Sequence, residues 1–299
     1  MARFPEWLKK KIPGCGDIQS TRSLIDGLGL NTVCSSARCP NQGECYSRRT
    51  ATFLILGGIC TRGCRFCAVE KGSPLPPDPD EPRKVAKAVA GLGLKHAVVT
   101  SVTRDDLRDG GASHFAAAIR AIRERQPGIT VEVLTPDFKG RLRPVDTVAS
   151  ERPEVFNHNL ETVPRLYRRV RPGAGYRRSL GLLERVKARE PGVLTKSGLM
   201  VGLGEGYSEV RQVMADLRSA GCDIITVGQY LQPSRDHLEV KEFVSPEVFD
   251  AYRRTALEMG FKHAVCGPFV RSSYRAGDCL PTISEVGGQR LEVRKLERK

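Results

Sequence analysis

From position 52 onward the chain alternates short apolar runs with longer segments whose apolar residues recur every three or four positions. Thr52-Phe-Leu-Ile-Leu-Gly57 is long enough for a buried strand. A proline-rich linker follows (Pro74, Pro76, Pro77, Pro79, Pro82), and Glu81–Leu92, rich in Lys and Ala, predicts a helix. The alternation then repeats. Strands are predicted at 95–100, 130–134, 154–157, 197–201 and 223–227, with one more short run at 263–266. Helices are predicted at 112–125, where Phe115, Ile119 and Ile122 share a face, and at 141–150 and 179–189. Two more are predicted at 208–219, N-capped by Ser208, and at 246–259, with Pro246 in its first turn. Residues 1–50 are polar and broken by Gly and Pro, which predicts a loop-rich extension with at most short helices.

Six strand–helix units roughly 30 residues apart predict a parallel sheet with crossover helices. They are too few for a closed eight-unit barrel and suit an open one, so the expected α/β architecture is a partial (β/α)6 barrel of the TIM type. The expected organisation is a loop-rich N-terminal extension (1–50), the barrel (51–266) and a short C-terminal extension (267–299). In such folds the chemistry sits at the C-terminal ends of the strands. That rule singles out Thr100 and Ser101 after the second strand, Asn157, Asn159 and Glu161 after the fourth, and Glu205 after the fifth. Each has a plainer reading as a turn or polar-network residue.

Composition narrows the picture modestly. The 299 residues are 40% hydrophobic and 27% charged, ordinary for a globular chain. No stretch approaches the roughly 20 apolar residues that span a bilayer. The start, MARFPEWLKKKIPG, is basic without an apolar core or a small-residue cleavage site. A cytoplasmic protein without membrane contact is therefore expected, a monomer by default. The 48 Lys and Arg against 34 Asp and Glu give a net charge of +14, scattered rather than in a block. That fits a solvated surface or an acidic partner.

The ten cysteines say more. Six of them lie between positions 34 and 67, and the next is Cys222. Cys34, Cys39 and Cys45 form a C-x4-C-x5-C triplet, and Cys60, Cys64 and Cys67 a C-x3-C-x2-C triplet directly after the first strand. A structural zinc site closes with four ligands, typically from two short pairs, and neither triplet has that form or a local His. Close-set thiolates on a glycine-interrupted loop suit an iron–sulfur cluster. Three thiolates on a four-iron cluster leave one iron for substrate or cofactor. Zinc knuckles or buried free thiols remain the plainer alternative.

The second triplet, placed after the first strand of a six-unit barrel, resembles the radical S-adenosylmethionine superfamily. The first triplet narrows the resemblance to the lipoyl synthase family. It extends from Pro5-Glu-Trp-Leu through Thr100-Ser-Val-Thr-Arg-Asp-Asp-Leu, Phe156-Asn-His-Asn-Leu-Glu-Thr-Val-Pro164, Val170-Arg-Pro-Gly and Gly228-Gln-Tyr-Leu-Gln-Pro to Gly267-Pro-Phe-Val-Arg-Ser-Ser-Tyr274. Gly204-Glu-Gly206 departs from the family's Gly-Glu-Thr but keeps Glu205.

The resemblance implies two 4Fe–4S clusters. Cys60, Cys64 and Cys67 hold the one that binds and cleaves S-adenosylmethionine to a 5′-deoxyadenosyl radical. Cys34, Cys39, Cys45 and Ser273 hold an auxiliary cluster that is sacrificed as the sulfur source. Two hydrogen abstractions then place sulfur on carbons 6 and 8 of an octanoyl chain on a lysine of a carrier protein. Phe66 is expected to bring its backbone near adenine. Ser273 is a catalytic candidate, and so is Arg271, next to the serine pair, as a charge partner near the auxiliary cluster.

The implied partners are an octanoylated lipoyl-domain or glycine-cleavage carrier protein, a ferredoxin- or flavodoxin-type electron donor and an iron–sulfur cluster carrier, with no nucleic acid. A tRNA methylthiotransferase, the radical alternative suggested by the charge, would be expected to carry an RNA-binding domain after Ser273. A non-enzymatic iron–sulfur sensor is the other alternative. His96, His114, His158, His237 and His263 show no metal spacing, and Asp105 and Asp106 read as a loop feature. Cys15, Cys222, Cys266 and Cys279 belong to neither triplet.

Overall fold

The computed structural model describes residues 4–10 and 16–279; Cys15 lies outside the described residues. The N-terminal extension consists of α1 (Gly16–Gly27), β1 (Asn31–Thr32), α2 (Val33–Ser36) and α3 (Gln42–Ser47). Strand β2 (Thr52–Ile55) leads into β3 (Ile59–Cys60) and β4 (Glu70–Lys71), which pair with each other apart from the main sheet. There follow α4 (Glu81–Leu92), β5 (His96–Ser101), α5 (Ala112–Arg125), β6 (Thr130–Leu134), α6 (Leu142–Ala149) and β7 (Val155–Asn157). The remaining elements are α7 (Tyr167–Val170), α8 (Tyr176–Arg189), β8 (Leu194–Val201), α9 (Tyr207–Ser219), β9 (Ile224–Gln229), α10 (Pro246–Glu258) and β10 (His263–Gly267).

The main sheet runs β1-β2-β5-β6-β7-β8-β9-β10, parallel throughout except for the antiparallel β1–β2 pair. It is the open, partial TIM-type barrel expected from the alternation, with β10 as a seventh parallel strand. Alternation along each strand sends one set of side chains to the helices. Ala97 and Val99 of β5 and Phe156 of β7 are fully buried there, with Phe115, Ile119 and Ile122 of α5. Burial of about 25 cal/mol per Å2 of apolar surface makes this layer the main source of stability.

The opposite set fills the barrel. Val155 and Ile224 form a small separate apolar cluster with Leu194 and Val265. Two residues further along β7 and β8 the interior turns ionic. Lys196 Nζ donates to both oxygens of Glu132, at 2.9 and 3.0 Å, with both side chains 1% exposed. Asn157 Nδ2 donates to Glu132 at 3.2 Å, and His96 Nε2 lies 3.6 Å from the same carboxylate. Burial pushes the Glu132 carboxyl up, but Lys196 and His96 outweigh it and hold it below its ordinary value.

Three local expectations are corrected. The extension is less loop-like than its polarity suggested, because α1 is a twelve-residue helix. Its Ile18, Leu24 and Ile25 pack on the core, and Thr21 Oγ1 donates to the Tyr46 carbonyl at 2.9 Å. Helix α9 begins one residue early, so its N-cap is Gly206 rather than Ser208. There Glu209 reaches back to accept from the Gly206 N–H at 2.8 Å, satisfying an otherwise orphaned donor. Helix α8 starts at Tyr176, three residues before the predicted Ser179. Among the described residues no helix is long and apolar enough to cross a membrane.

The interior ion pair generates a stability prediction. Lys196→Met strands a buried carboxylate and is expected to cost about 3–5 kcal/mol in guanidinium unfolding. Adding Glu132→Leu should restore most of it. Equal losses in the single and double variants would show that the pair is not the cause.

Candidate active site between the two cysteine triplets

The second triplet sits on a loop pinned at several points to the C-terminal ends of the barrel strands. Thr61 donates to the Thr103 carbonyl through both its N–H (3.0 Å) and its hydroxyl (2.9 Å). Arg65 N donates to the Val170 carbonyl, and Leu238 N to the Arg65 carbonyl. His237 Nε2 donates to the Cys67 carbonyl at 3.1 Å. The Arg62 guanidinium bridges Asp105 (2.7 and 2.9 Å) and Asp137 (2.6 Å). Burial alone would raise the Asp137 carboxyl, but Arg62 outweighs it and holds it at about 2. Asp106 pairs with Arg104 at 2.8 Å, so Asp105 and Asp106 serve separate ion pairs in loops, as the sequence suggested.

Backbone N–H groups of Arg62 and Thr103 both point at Cys60 Sγ, at 3.4 Å. Such donors stabilise a thiolate and tune a cluster bound to it. Cys67 is pushed up to about 12 by burial. Cys64 is raised by burial too, with Arg171 pulling it back. Burial thus favours the neutral thiol at Cys64 and Cys67, whose protons an iron group would displace on binding.

The first triplet is carried on α2, on the turn after it and on α3. Thr32 caps α2, its hydroxyl accepting from Ser35 N at 3.3 Å. Burial raises Cys34 to about 12 and Cys45 to about 11, and in both the nearby Cys39 adds repulsion between thiolates. The three sulfurs are therefore electrostatic neighbours. Among the described residues no three His, Cys, Asp or Glu side chains close on the point that a single metal ion needs. The donor sets, three soft thiols each, fit an iron–sulfur group.

One cavity of about 450 Å3 inside the mouth of the barrel takes in the whole second triplet and, of the first, Cys39. Cys60, Cys64, Cys67 and Phe66 line it, and Ser273 belongs to its wall as well. A second cavity of about 220 Å3 touches Cys34, Cys45 and Ser273. Ser273 is shared by the two. The predicted Thr100, Ser101, Asn159, Glu161 and Arg271 also line the larger space.

Among the described residues, four buried polar atoms of the side chains lining this cavity lack a partner: Ser101 Oγ, Thr135 Oγ1, Asn159 Oδ1 and Arg171 Nε. Asn159 Nδ2 donates to Glu161 Oε1 (3.1 Å) and to Ser272 Oγ (3.2 Å). Gly198 makes room for this asparagine, since a Cβ there would lie 2.8 Å from Asn159 Oδ1. Glu161 adopts a left-handed φ of 67°, costing about 1–3 kcal/mol for a non-glycine residue, and burial raises its carboxyl. Orphaned polar atoms and a strained acid in one cavity are the marks of a polar ligand's site.

Two predicted residues are not brought there. Asn157 lies one layer deeper, against Glu132, because it is the last residue of β7 and still points into the barrel interior. Glu205 folds back on its own loop, accepting from Gly202 N and Leu203 N (3.0 Å). It staples the turn after β8 instead of facing a ligand. Thr100 lines the cavity with its hydroxyl already donated to the Leu134 carbonyl at 2.8 Å.

Sequence reasoning also passed over Arg171, whose Nη1 donates to the carbonyls of Asn159 (2.7 Å) and Leu160 (3.0 Å) beneath Glu161 and Cys64. Its only signal was its place in Val170-Arg-Pro-Gly. His158 is held by Thr135 and Ser179, and burial lowers it to about 4, so it stays neutral at the cavity wall. Of the cysteines outside the triplets, Cys222 is fully buried and Cys266 is partly buried on β10. Nothing is described of the side chain of Cys279.

Comparison with known proteins agrees with this geometry. The Radical SAM superfamily model matches residues 54–217. Lipoyl synthase of Caldanaerobacter subterraneus subsp. tengcongensis is 59% identical over 274 residues, 92% of this chain and 96% of the relative. Lipoyl synthase of Klebsiella pneumoniae subsp. pneumoniae is 56% identical over 278 residues, 92% of this chain and 87% of the relative. Among solved structures, methylornithine synthase superposes with a TM-score of 0.51 at 14% identity, over 86% of this chain and 84% of that one. Streptococcus suis SuiB bound to its precursor peptide gives 0.58 at 12% identity. That match takes in 72% of this chain, which spans about half (48%) of SuiB. At such identities these two speak for the fold alone. Identity of this order along nearly the whole chain, joined to the triplet geometry, means that the chain belongs to the lipoyl synthase family of the radical SAM superfamily.

Proposed function

We propose that the two triplets would hold two iron–sulfur clusters beside one shared cavity, and that an octanoyl chain is thiolated there. The family's reaction is radical sulfur insertion at carbons 6 and 8 of a protein-bound octanoyl-lysine, and the chain is a radical sulfurtransferase. The observation that carries the arrangement is the shared cavity: Cys39 and Ser273 of the auxiliary site and all three cysteines of the other line the same space. When bound, the clusters and S-adenosylmethionine supply the hydrogen-abstracting radical and the sulfur.

A saturated methylene offers no acidic proton and no electrophilic carbon, so acid–base or nucleophilic side chains have nothing to act on. The chain's own task is to position and to exclude. Leu54, Phe66, Val102, Leu134, Met200 and Tyr230 give the cavity walls that suit an alkyl chain and keep water out. Asn159, Ser101 and Glu161 offer unspent polar groups to S-adenosylmethionine, and the Phe66 backbone is assigned to its adenine. Arg171 anchors the backbone that carries Asn159, and Arg271 offsets charge near Cys39 and Glu161. Segments 1–50 and 267–299 act jointly as the auxiliary-site carriers around the 51–266 barrel. A serine oxygen is a harder ligand than thiolate and a poorer match for a soft cluster, so Ser273 would be the most weakly held of the four auxiliary ligands.

The proposed partners are an octanoylated lipoyl-domain or glycine-cleavage carrier, a ferredoxin- or flavodoxin-type donor and a cluster carrier, met in the cytoplasm by a monomer. The net charge of +14 favours acidic surfaces on these partners.

Anaerobically purified protein should carry about eight iron and eight sulfide per chain, and half of each after alanine replacement of either triplet. Zinc in their place would overturn the assignment. Reduced protein given S-adenosylmethionine and an octanoylated peptide should yield 5′-deoxyadenosine and dithiolated peptide; absence of both products would favour a sensor. Ser273→Cys should impair sulfur insertion while leaving S-adenosylmethionine cleavage intact, and full insertion by that variant would refute the weak-bond role. Carrier binding should weaken as salt rises, and salt-independent binding would remove the electrostatic argument.

A further inference from the structure

The C-terminal segment reaches the auxiliary site through a knot of side chains that the reaction itself does not call for. Tyr274 Oη donates to Glu44 Oε1 at 2.7 Å, joining residues 274 and 44, which lie so far apart in sequence. Each is the immediate chain neighbour of an assigned auxiliary ligand, Ser273 and Cys45. The second oxygen of Glu44 takes Lys10 Nζ at 2.5 Å, and that ammonium also donates to Asn41 Oδ1 at 2.6 Å. It lies 5.0 Å from the centre of the Phe269 ring and 5.3 Å from that of Tyr274. Asn41, itself 1% exposed, donates to the Phe269 carbonyl at 2.7 Å. Three segments distant in sequence are thus tied at one point.

The tie selects between two adjacent serines. Tyr274 N closes a turn on the Arg271 carbonyl at 2.9 Å, with Ser272 and Ser273 within it. Ser272 is engaged by Asn159, whereas Ser273 faces both cavities. A hard oxygen on a soft metal group binds weakly, so its residence there depends on how firmly the backbone presents it.

We propose that Tyr274, through its hydrogen bond to Glu44, is a positioning residue that latches Ser273 onto the auxiliary site, so that the latch sets how readily that site loses its iron. The proposal rests on Ser273 being an auxiliary ligand, and the test separates the two ideas. The cluster-loaded full chain is exposed to an iron chelator and iodoacetamide, and alkylation of each cysteine is followed by peptide mass spectrometry. Cys60, Cys64 and Cys67 serve as the internal control.

Tyr274→Phe should speed alkylation of Cys34, Cys39 and Cys45 about tenfold, the equivalent of one hydrogen bond to a charged group. The control cysteines should keep their rate. Lys10→Met, which leaves Tyr274 its acceptor, should act in the same direction and less. Ser273→Ala should also speed the auxiliary cysteines, and Tyr274→Phe added to it should change nothing further. A Tyr274→Phe rate equal to that of the parent, a rise at both triplets, or additive effects in the double variant would overturn the latch. An unchanged rate in Ser273→Ala would instead overturn the ligand assignment.

Discussion

Everything at this site depends on how closely the C-terminal segment can approach the barrel. A Cβ on Gly228 would lie 2.0 Å from the Val270 carbonyl oxygen, so only glycine at the end of β9 lets residues 270–274 settle there. From that seat Arg271, Ser272 and Ser273 reach the cavity, and Tyr274 reaches Glu44. Among the described residues the sheet ends at β1 and β10 without those edges pairing. Closure of the site is therefore a packing event between chain segments far apart in sequence.

Beneath the site the barrel interior changes character with depth. The Val155–Ile224 cluster is apolar, the Glu132–Lys196 pair is ionic, and the cavity beyond carries thiols and orphaned polar atoms. A buried ion pair seldom adds net stability over a packed apolar pair. It does fix the direction in which Asn157 and His96 point, and so keeps them below the cavity. Asn157 and Asn159 are placed differently for that reason: two residues of chain separate a side chain held against Glu132 from one that faces the cavity.

Charge around the triplets follows a consistent logic. Burial favours the neutral thiol at Cys34, Cys45, Cys64 and Cys67, and Arg171 works against it at Cys64. A site of this kind releases protons as it takes up metal. The Arg62 bridge to Asp105 and Asp137 holds the loop in place, and Arg178, 3.1 Å from Asp137, balances the second carboxylate.

By itself the sequence determined the alternation of strands and helices, the open barrel, the two thiol triplets and the family. Each is written locally, in periodicity or in spacing over a few residues. What it left undecided depended on depth and on distance along the chain. Strand alternation tells which way Asn157 and Asn159 point but not how deep each sits. Glu205 looks the same in a sequence whether it meets a ligand or its own loop. The extension's helix α1 was hidden because its apolar face is completed by residues outside it. Arg171 is marked only by its place in Val170-Arg-Pro-Gly, and the Lys10–Glu44–Tyr274 contact carries no local signature. Only tertiary structure could decide these, because a buried contact between residues 44 and 274 is specified by the packing of everything between them.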